Sequence, residues 1–409
     1  MPEQPVAAAS PSASEPPRRP ADGTSNGSLP IYLDHLATTP LDPRVLEAMV
    51  PFFTTHFGNP SSAHPYGWQA KEATESSRNA VAGLLGVSAR EIVFTSGATE
   101  ANNLAIRGLA ARHPDGGHII TSVTEHPAVL DVCETLSRSG IEVTYLSVDV
   151  DGQIDPDELQ RQLRDDTFLV SLMAANNEIG TLQPLEQIGL VLKDHPAVWH
   201  CDAAQAVGKI PLDVRALGID MLSMSAHKLY GPKGQGALYV RRRRPAIRLQ
   251  PLQEGGGQER GIRSGTLNVP GIVGLGRACE LAAAELEPEM KRLVQLRERL
   301  IGGLGQKLNL TINGQGQQRL PGCVSVCFAG ADGTDLMLRL QHEVALSAGA
   351  ACASGHAGPS HVLSAIGLSD AQASSTLRFG LGRRTTQEQI DTVIAKVIAA
   401  CTHNAGLAG

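Results

Sequence analysis

The sequence predicts an α/β fold with an open, mainly parallel sheet, followed by a smaller α+β domain. Short apolar runs rich in β-branched residues alternate with helix-length amphipathic stretches from about residue 31 to about residue 240. Strand–helix alternation is typical of a parallel sheet with helices on its faces. After about residue 268 the pattern changes to one long helical stretch and then closely spaced strands, which indicates a second domain.

The first part contains six runs expected to form buried strands: EIVFTS (91–96), HIITS (118–122), EVTYLSV (142–148), TFLVSLM (167–173), VWHCD (198–202) and IDMLSMS (219–225). Helical patterns lie between them, including Thr99 to Arg112 and Pro184 to Asp194. Asp155 before Pro156 predicts another helix start, because Asp caps helix N-termini and Pro suits the first helical position.

The second part is predicted to be a small α+β domain. Strand-like runs occur at CVSVCFA (323–329), VALSAGA (344–350) and TLRFGLG (376–382). The closing helix is expected to begin with a capping box formed by Thr385 and Glu388.

These patterns divide the chain into three parts. Residues 1–28 are dominated by Ala, Pro, Ser and Gly and are expected to be a disordered tail. A transit peptide is the alternative, and the three acidic residues and the prolines of this stretch argue against it. Residues 29–267 are expected to form the large domain, its first residues packing on the small domain of residues 268–409.

The charge balance argues against nucleic acid and membranes as partners. The 409 residues include 35 Lys and Arg against 41 Asp and Glu, a net charge of −6, which is a poor match to polyanions. The basic run Arg241–Arg244 is interpreted as a solvated turn rather than a binding patch. No apolar run approaches the ~20 residues that span a bilayer.

The cysteines indicate a reducing compartment. There are seven, without regular spacing, which does not fit a disulfide framework. Cys323 and Cys327 are expected on one face of a buried strand rather than in a metal site. The predicted location is therefore cytoplasmic, with organellar targeting by residues 1–28 as the alternative.

Polar and reactive residues follow four of the predicted strands. TSGATEANN (95–103) passes from a strand through Ser-Gly into a helix, and a helix N-terminus favours a phosphate. His126 follows a second strand, Asp202 ends a third, and Lys228 follows a fourth. Because ligands of open α/β sheets bind at the carboxyl ends of the strands, we expect these residues to meet there.

Each residue alone has a structural interpretation: Asp as a helix cap, His as a hydrogen-bonded core residue, Lys as a hydrated side chain. Together they meet the needs of pyridoxal phosphate (PLP), which requires an amine, a carboxylate at its ring nitrogen, a phosphate cradle and a flat group on its ring. The residues that supply these are Lys228, Asp202, the turn 96–99 with Ser225 and His227, and His126. Lys233, in a Gly-Pro-Lys-Gly loop, is expected to be hydrated and without a catalytic role.

The sequence resembles the cysteine desulfurases of the class V aminotransferase family, which are fold-type I PLP enzymes. The resemblance covers nearly all of the chain after residue 28. It is carried by the segments YLDHLATTPLDPRV (32–45), FTSGATEANNLAI, TEHPAVLD, NNEIG, HCDAAQAVGKIPLD, SAHKLYGPKG, GGGQERGIRSGT and SSTLRFGLGRRTT.

The resemblance implies a role for each matching residue. Lys228 binds the cofactor covalently, Asp202 pairs with its ring nitrogen, and Gln205 bonds its phenolic oxygen. His126 stacks on the ring and shuttles protons. The phosphate is held by Ala98, Thr99, Ser225 and His227. Thr266 reaches the phosphate of a neighbouring subunit, which implies a homodimer. Asn177, which also belongs to the cofactor site, and Arg378 hold the substrate carboxylate, for which a guanidinium is the natural bidentate partner.

One cysteine distinguishes a desulfurase from an ordinary aminotransferase. SAGAACASGHAGPSHVL (347–363) carries Cys352 among small residues, and the glycines of this segment argue against a core position. The segment resembles the long mobile loop of group I desulfurases, whose cysteine takes sulfur from L-cysteine as a persulfide and releases alanine. The implied acceptor is an iron–sulfur scaffold protein or a tRNA-thiolation partner. No metal site is expected, apart from transient contact of that persulfide with a cluster on the scaffold.

The chain departs from the family pattern near its start, where His35 and Leu36 replace a Tyr and a small polar residue, and around Cys352, where alanines replace hydroxyl residues. Two alternatives lie close to this function: a selenocysteine lyase and a class V transaminase. A sulfur-relay or scaffold protein without catalysis is a third, disfavoured by the complete set of Lys228, Asp202 and His126.

Overall fold

The computed structural model describes residues 29–316, 318–348 and 359–402. The predicted tail and Cys352 lie outside the described residues. The strands are β1 Ile31–Tyr32, β2 Ile92–Thr95, β3 His118–Ser122, β4 Glu142–Leu146, β5 Thr167–Ser171, β6 Val198–Asp202, β7 Met221–Ser225, β8 Gly236–Val240, β9 Leu310–Asn313, β10 Cys323–Phe328, β11 Val344–Ala345, β12 Ser347–Ala348 and β13 Thr376–Gly380.

The α-helices follow the same chain order. They are α1 Pro43–Met49, α2 Pro51–Thr54, α3 Pro65–Leu85, α4 Ala98–Ala110, α5 Pro127–Ser137, α6 Pro156–Gln162, α7 Leu185–Leu192, α8 Val214–Leu217, α9 Val269–Gly305, α10 Gly333–Leu340, α11 His361–Ala365, α12 Asp370–Ser374 and α13 Gln387–Thr402. No helix within the described residues has the length and apolar character needed to cross a membrane.

Within the described residues, a seven-stranded sheet has the order β2-β8-β7-β6-β5-β3-β4. All neighbouring pairs are parallel except those of β8, which is antiparallel to β2 and β7. The predicted α/β class with a mainly parallel sheet is confirmed. Strands β5, β6 and β7 are buried along their whole length, which explains why they read as continuous apolar runs.

A second sheet of order β12-β13-β10-β9 is antiparallel. It packs with α13 and the second half of α9 around a separate apolar core. The first described strand, β1, pairs in parallel with β11, which ties the beginning of the chain to its C-terminal part. Cys323 and Cys327 are both buried on β10.

Helix α9 belongs to both parts of the molecule. Its residues from Ile272 to Ala282 pack in the core of the large sheet, whereas Leu293, Leu296, Leu300 and Leu304 pack in the C-terminal core. The boundary predicted at residue 268 therefore marks the start of a shared helix rather than the point where the two cores separate.

Two helix starts show how local sequence sets the elements. Asp155 caps α6 through a bond from the Asp157 N–H, as predicted. The capping box before α13 is formed by Thr386 and Gln389, one residue later than predicted. Thr385 instead accepts a hydrogen bond from the Gly382 N–H, so it is not available as the cap.

Candidate active site

A cavity of about 600 Å³ lies at the carboxyl ends of the central strands. The predicted site residues that line it are Ala98, Thr99, His126, Asn177, Asp202, Gln205, Ser225, His227, Lys228 and Arg378. Thr266 does not line this cavity and is exposed on the loop before α9. Lys233, for which no role was predicted, lies at the cavity rim and is exposed.

Lys228 lies in the short 3₁₀ turn that follows β7. Its Nζ donates to the carbonyl oxygens of Leu36 at 2.6 Å and Ala37 at 2.8 Å. Burial, reinforced by the positive charge of Arg378, lowers the pKa of Lys228 to about 8. An appreciable fraction of this amine is therefore neutral near physiological pH, as attack on a carbonyl carbon requires.

Asp202 is the last residue of β6 and is buried at the cavity. Its Oδ2 accepts a hydrogen bond from Asn102 Nδ2 at 2.6 Å, and its Oδ1 accepts one from the Ala204 N–H at 2.9 Å. These two bonds hold the carboxyl group in place. Asn102 Oδ1, in contrast, is buried without a partner among the described residues.

The turn between β2 and α4 forms an anion cradle. Gly97 caps the 13-residue helix α4, whose first backbone N–H groups have no partner within the helix. A Cβ at Gly236 on the adjacent strand would lie 2.6 Å from the Gly97 Cα, so only glycine fits beside this turn. The helix N-terminus and its free N–H groups favour a phosphate at this point.

Glu100, which also lines the cavity, and Arg263 support the cradle. Glu100 accepts hydrogen bonds from the Ser96 N–H at 2.8 Å and from Arg263 Nε at 2.8 Å. Although burial opposes it, these bonds lower the pKa of Glu100, so the carboxylate is ionised and holds the turn in place.

His227 lies beside the cradle at the end of β7. Its Nδ1 contacts the hydroxyl of Thr38 at 3.1 Å. Burial and the nearby lysines, Lys228 first among them, lower the pKa of His227 to about 4. The ring is therefore neutral and interacts with an anion as a hydrogen-bond donor rather than as a cation.

His126 lies at the N-terminus of α5 and borders the cavity. Its Nδ1 accepts a hydrogen bond from the Ala128 N–H at 3.0 Å, so the proton of the neutral ring is on Nε2. Burial lowers the pKa of His126, and protonation at Nδ1 would break the helix cap. The ring is thus held neutral, with its proton on Nε2.

Gln205 is held at both ends of its side-chain amide. Nε2 donates to the Leu36 carbonyl oxygen at 2.8 Å, and Oε1 accepts from Lys209 Nζ at 2.6 Å. The Leu36 oxygen is thus shared between Gln205 and Lys228.

Arg378 lies on β13 and reaches the cavity from the C-terminal part. Nη2 donates to Asp34 Oδ1 at 2.8 Å and to Ser347 Oγ at 3.0 Å, and Nη1 donates to the Asn177 carbonyl oxygen at 2.8 Å. Within the part of the chain that the structure describes, Nε is buried without a partner. Arg378 therefore keeps some N–H donors unused, but most donors of its guanidinium group already have partners.

The residues at the cavity fit PLP. An amine of lowered pKa, a buried carboxylate fixed by two donors, and a helix N-terminus with free N–H groups border one space. His126 supplies a flat ring. These are the four groups that the cofactor requires, so the donor set supports its binding here.

Sequence reasoning missed several participants, among them Asn102, Asp34, Lys209 and the backbone of Leu36. Asn102 and Asp34 lie within quoted motifs and bind Asp202 and Arg378. Lys209 lies four residues after Gln205, a spacing that could have drawn attention to it. The carbonyl of Leu36 carries no side-chain signal at all.

Known proteins resemble this chain over most of its length. The family described as class-V aminotransferases matches residues 31–393. The protein named cysteine desulfurase IscS from Anaeromyxobacter dehalogenans (strain 2CP-C) is 53% identical over 369 residues, covering 90% of this chain and 91% of that one. A solved NifS-like protein has a TM-score of 0.86 at 40% identity, covering 92% and 100% of the two chains. A structure described as SspA in complex with cysteine has a TM-score of 0.77 at 40% identity, covering 86% and 98%.

Proposed function

The chain belongs to the class-V aminotransferase family and, within it, to the cysteine desulfurases, and from this premise we propose how its residues act on L-cysteine. The observation that carries the proposal is the meeting of Lys228, Asp202 and the N-terminus of α4 at one cavity. The cofactor is PLP, which when bound withdraws electrons from the Cα of an attached amino acid.

Four sets of side chains hold the cofactor in this proposal. Lys228 would bind it through Nζ, and Asp202, fixed by Asn102, would pair with its ring nitrogen. The cradle at Ala98 and Thr99, with Ser225 and His227, would bind the phosphate. Gln205 would donate to the ring oxygen and His126 would stack on the ring. Lys228 Nζ would also be the base that takes the Cα proton of the substrate.

Arg378 and Asn177 hold the substrate carboxylate, and His126 donates from Nε2 to the substrate sulfur. Cys352 attacks this sulfur as a thiolate: an S–S bond forms, the Cβ–S bond breaks, and alanine leaves after Cβ has taken a proton and Cα has regained the one that Lys228 removed. L-cysteine and the Cys352 thiol thus become alanine and a Cys352 persulfide, with no outside oxidant.

The other cysteines support the choice of Cys352, which lies outside the described residues. Among the described residues, none of the six cysteines lines the cavity. Burial raises the pKa of Cys133 to about 12 and that of Cys323 to about 11, and it also raises the pKa of Cys201, Cys279 and Cys401. A raised pKa disfavours the thiolate that attack on sulfur requires.

We further propose a homodimer. Phe53, Phe57, Tyr66 and Trp68 are each more than half exposed between α2 and the start of α3, and the rings of Phe57 and Tyr66 are 5.6 Å apart. Contiguous exposed aromatic residues are typical of interfaces. Thr266, exposed and outside this cavity, is then free to reach the site of the second subunit. Light scattering is expected to give twice the chain mass; a monomer at micromolar concentration contradicts the dimer.

Sulfur leaves the enzyme by transfer from Cys352 to another thiol. The acceptor we propose is an iron–sulfur scaffold protein, with a tRNA-thiolation protein as the second candidate, and the proposed compartment is the cytoplasm. Mixing the cysteine-loaded enzyme with each purified acceptor, and measuring which receives labelled sulfur, tests this choice.

Product analysis tests the reaction itself. The PLP-loaded enzyme is expected to release one alanine per sulfide from L-cysteine in the presence of a thiol. K228A abolishes this release, whereas K233A, altered at the rim of the same cavity, retains it. Release of pyruvate instead of alanine, or activity restricted to selenocysteine, contradicts the proposal.

A further inference from the structure

Lys209 is a partly buried lysine that the proposed reaction does not use. Its Nζ lies 2.6 Å from Gln205 Oε1. Burial, reinforced by the positive charges of Lys228 and Arg378 and opposed by Cys323 and Glu289, lowers the pKa of Lys209 to about 7. Removing an amine from water is unfavourable unless it forms defined hydrogen bonds. We therefore asked what the contact between Lys209 and Gln205 contributes to the site.

The partners of Gln205 determine how its amide is oriented. The carbonyl oxygen of Leu36 can only accept a hydrogen bond, so it requires the NH₂ group of Gln205 at 2.8 Å. The amide oxygen must then face Lys209. The same Leu36 oxygen accepts from Lys228 Nζ at 2.6 Å, which places the NH₂ group of Gln205 and the amine of Lys228 beside one atom at the cavity.

A small cavity lies behind the site, next to Lys209. It has a volume of about 30 Å³ and is lined by Lys209, His35, Tyr230 and Glu289, among others. This space is large enough for one water molecule, which could accept a further hydrogen bond from the amine. On the side of the large cavity, Lys209 donates to Gln205.

We propose that Lys209 is a positioning residue that holds the amide of Gln205 with its N–H donors toward the ring oxygen of the bound cofactor. This inference rests on the proposed function, because it needs PLP at Lys228. Without Lys209 the Gln205 amide keeps only the Leu36 carbonyl as a partner, so its orientation toward the ring oxygen is less firmly fixed. Lys209 would then tune the cofactor without touching it.

The visible absorption of the PLP-loaded enzyme reports this effect directly. A donor to the ring oxygen stabilises negative charge there and lowers the pKa of the proton shared with the Lys228 nitrogen. Q205L is expected to raise the apparent pKa of the absorption change by about one unit, the size of one charge-assisted hydrogen bond. K209M is expected to raise it by a similar amount.

The double variant separates positioning from charge. If Lys209 acts through Gln205, K209M adds no further shift to Q205L, so the double variant titrates like Q205L alone. If K209M shifts the apparent pKa equally in the wild-type and the Q205L protein, the charge of Lys209 acts directly on the cofactor. If K209M shifts it in neither protein, Lys209 has no effect. Either result overturns the inference. If K209M does not fold, K209L can be used in its place, because it also lacks the amine and has a smaller side chain.

The proposed function fails in a different way. A wild-type protein that stays colourless with PLP contradicts the proposed function, whereas a yellow protein with additive shifts contradicts only the role of Lys209. Thermal unfolding of each variant confirms that the comparison is made between folded proteins.

Discussion

Arg378 donates from Nη2 to Asp34 Oδ1 at 2.8 Å, across 344 positions of the chain. The second hydrogen of the same nitrogen goes to Ser347 Oγ at 3.0 Å. A carboxylate that binds Arg378 side-on needs Nε and Nη2 together. The substrate carboxylate must therefore share this nitrogen with Asp34, or displace it.

Asp34→Asn is expected to lower the KM for L-cysteine by about threefold to tenfold, with kcat little changed. Asparagine keeps an oxygen that accepts from Arg378 and Ser347 but removes the competing negative charge, an effect on the order of 1 kcal/mol. Steady-state kinetics measures it. Ser347→Ala, which removes a neighbouring hydrogen bond without altering charge, is the control and should leave KM nearly unchanged. A higher KM in D34N would mean that Asp34 mainly holds Arg378 in place.

Arg378→Ala is expected to raise the KM for L-cysteine by about 100-fold, since it removes a charge-assisted pair worth about 1.5–3 kcal/mol. Arg378→Lys keeps the charge but loses the planar fork, so its KM should lie between those of the wild type and R378A. If R378A keeps the wild-type KM, another group binds the carboxylate.

Asn102→Ala is expected to weaken PLP binding by about tenfold to 100-fold. The hydrogen bond from Asn102 to Asp202, 2.6 Å long, stabilises the carboxylate that faces the ring nitrogen. Equilibrium dialysis of the apoenzyme measures the affinity. Asn103→Ala is the matched control, because Asn103 is the next residue of the same helix and contacts Thr99 and Arg107 instead. Equal affinities for PLP in both variants would show that the hydrogen bond from Asn102 to Asp202 does not contribute to cofactor binding.

The rate at which the apoenzyme binds PLP covalently is expected to rise with pH and to reach half of its maximum near pH 8. Only the neutral amine attacks, and burial lowers the pKa of Lys228 from its ordinary value of 10.5 to about 8. The appearance of the visible absorption band after mixing gives the rate. Borohydride reduction followed by peptide mapping should then place the label on Lys228. A label on Lys209 or Lys233, or a rate still rising steeply at pH 10, contradicts the assignment.

Much of the fold could be predicted from apolar runs whose ends are marked by polar or turn residues. The runs HIITS and VWHCD match β3 and β6 at both ends, because each is completely buried and polar or turn residues follow it. The antiparallel direction of β8 was not predicted, since an apolar run carries no information on direction. The sequence prediction assigned the whole of α9 to the small domain. The apolar pattern identifies a helix, but it does not indicate which of the two cores each half of the helix packs in.

Site residues could be predicted from the sequence where their side chains lie at or just after the end of a strand, as with Asp202 and Lys228. Contacts could not be predicted where the partner is distant in the chain or is a backbone atom. Asn102 and Asp202 are 100 positions apart, and the acceptor shared by Gln205 and Lys228 is a main-chain oxygen. Such contacts arise only when the sheet brings the carboxyl ends of its strands to one edge.

The central claim is that L-cysteine bound at Lys228 gives its sulfur to Cys352. Mass spectrometry of the PLP-loaded enzyme after incubation with L-cysteine, without added thiol, tests it most directly. We expect one additional sulfur atom on the peptide that contains Cys352, and none in C352S or K228A. An added sulfur on a different cysteine, or on that peptide in K228A, would contradict the claim.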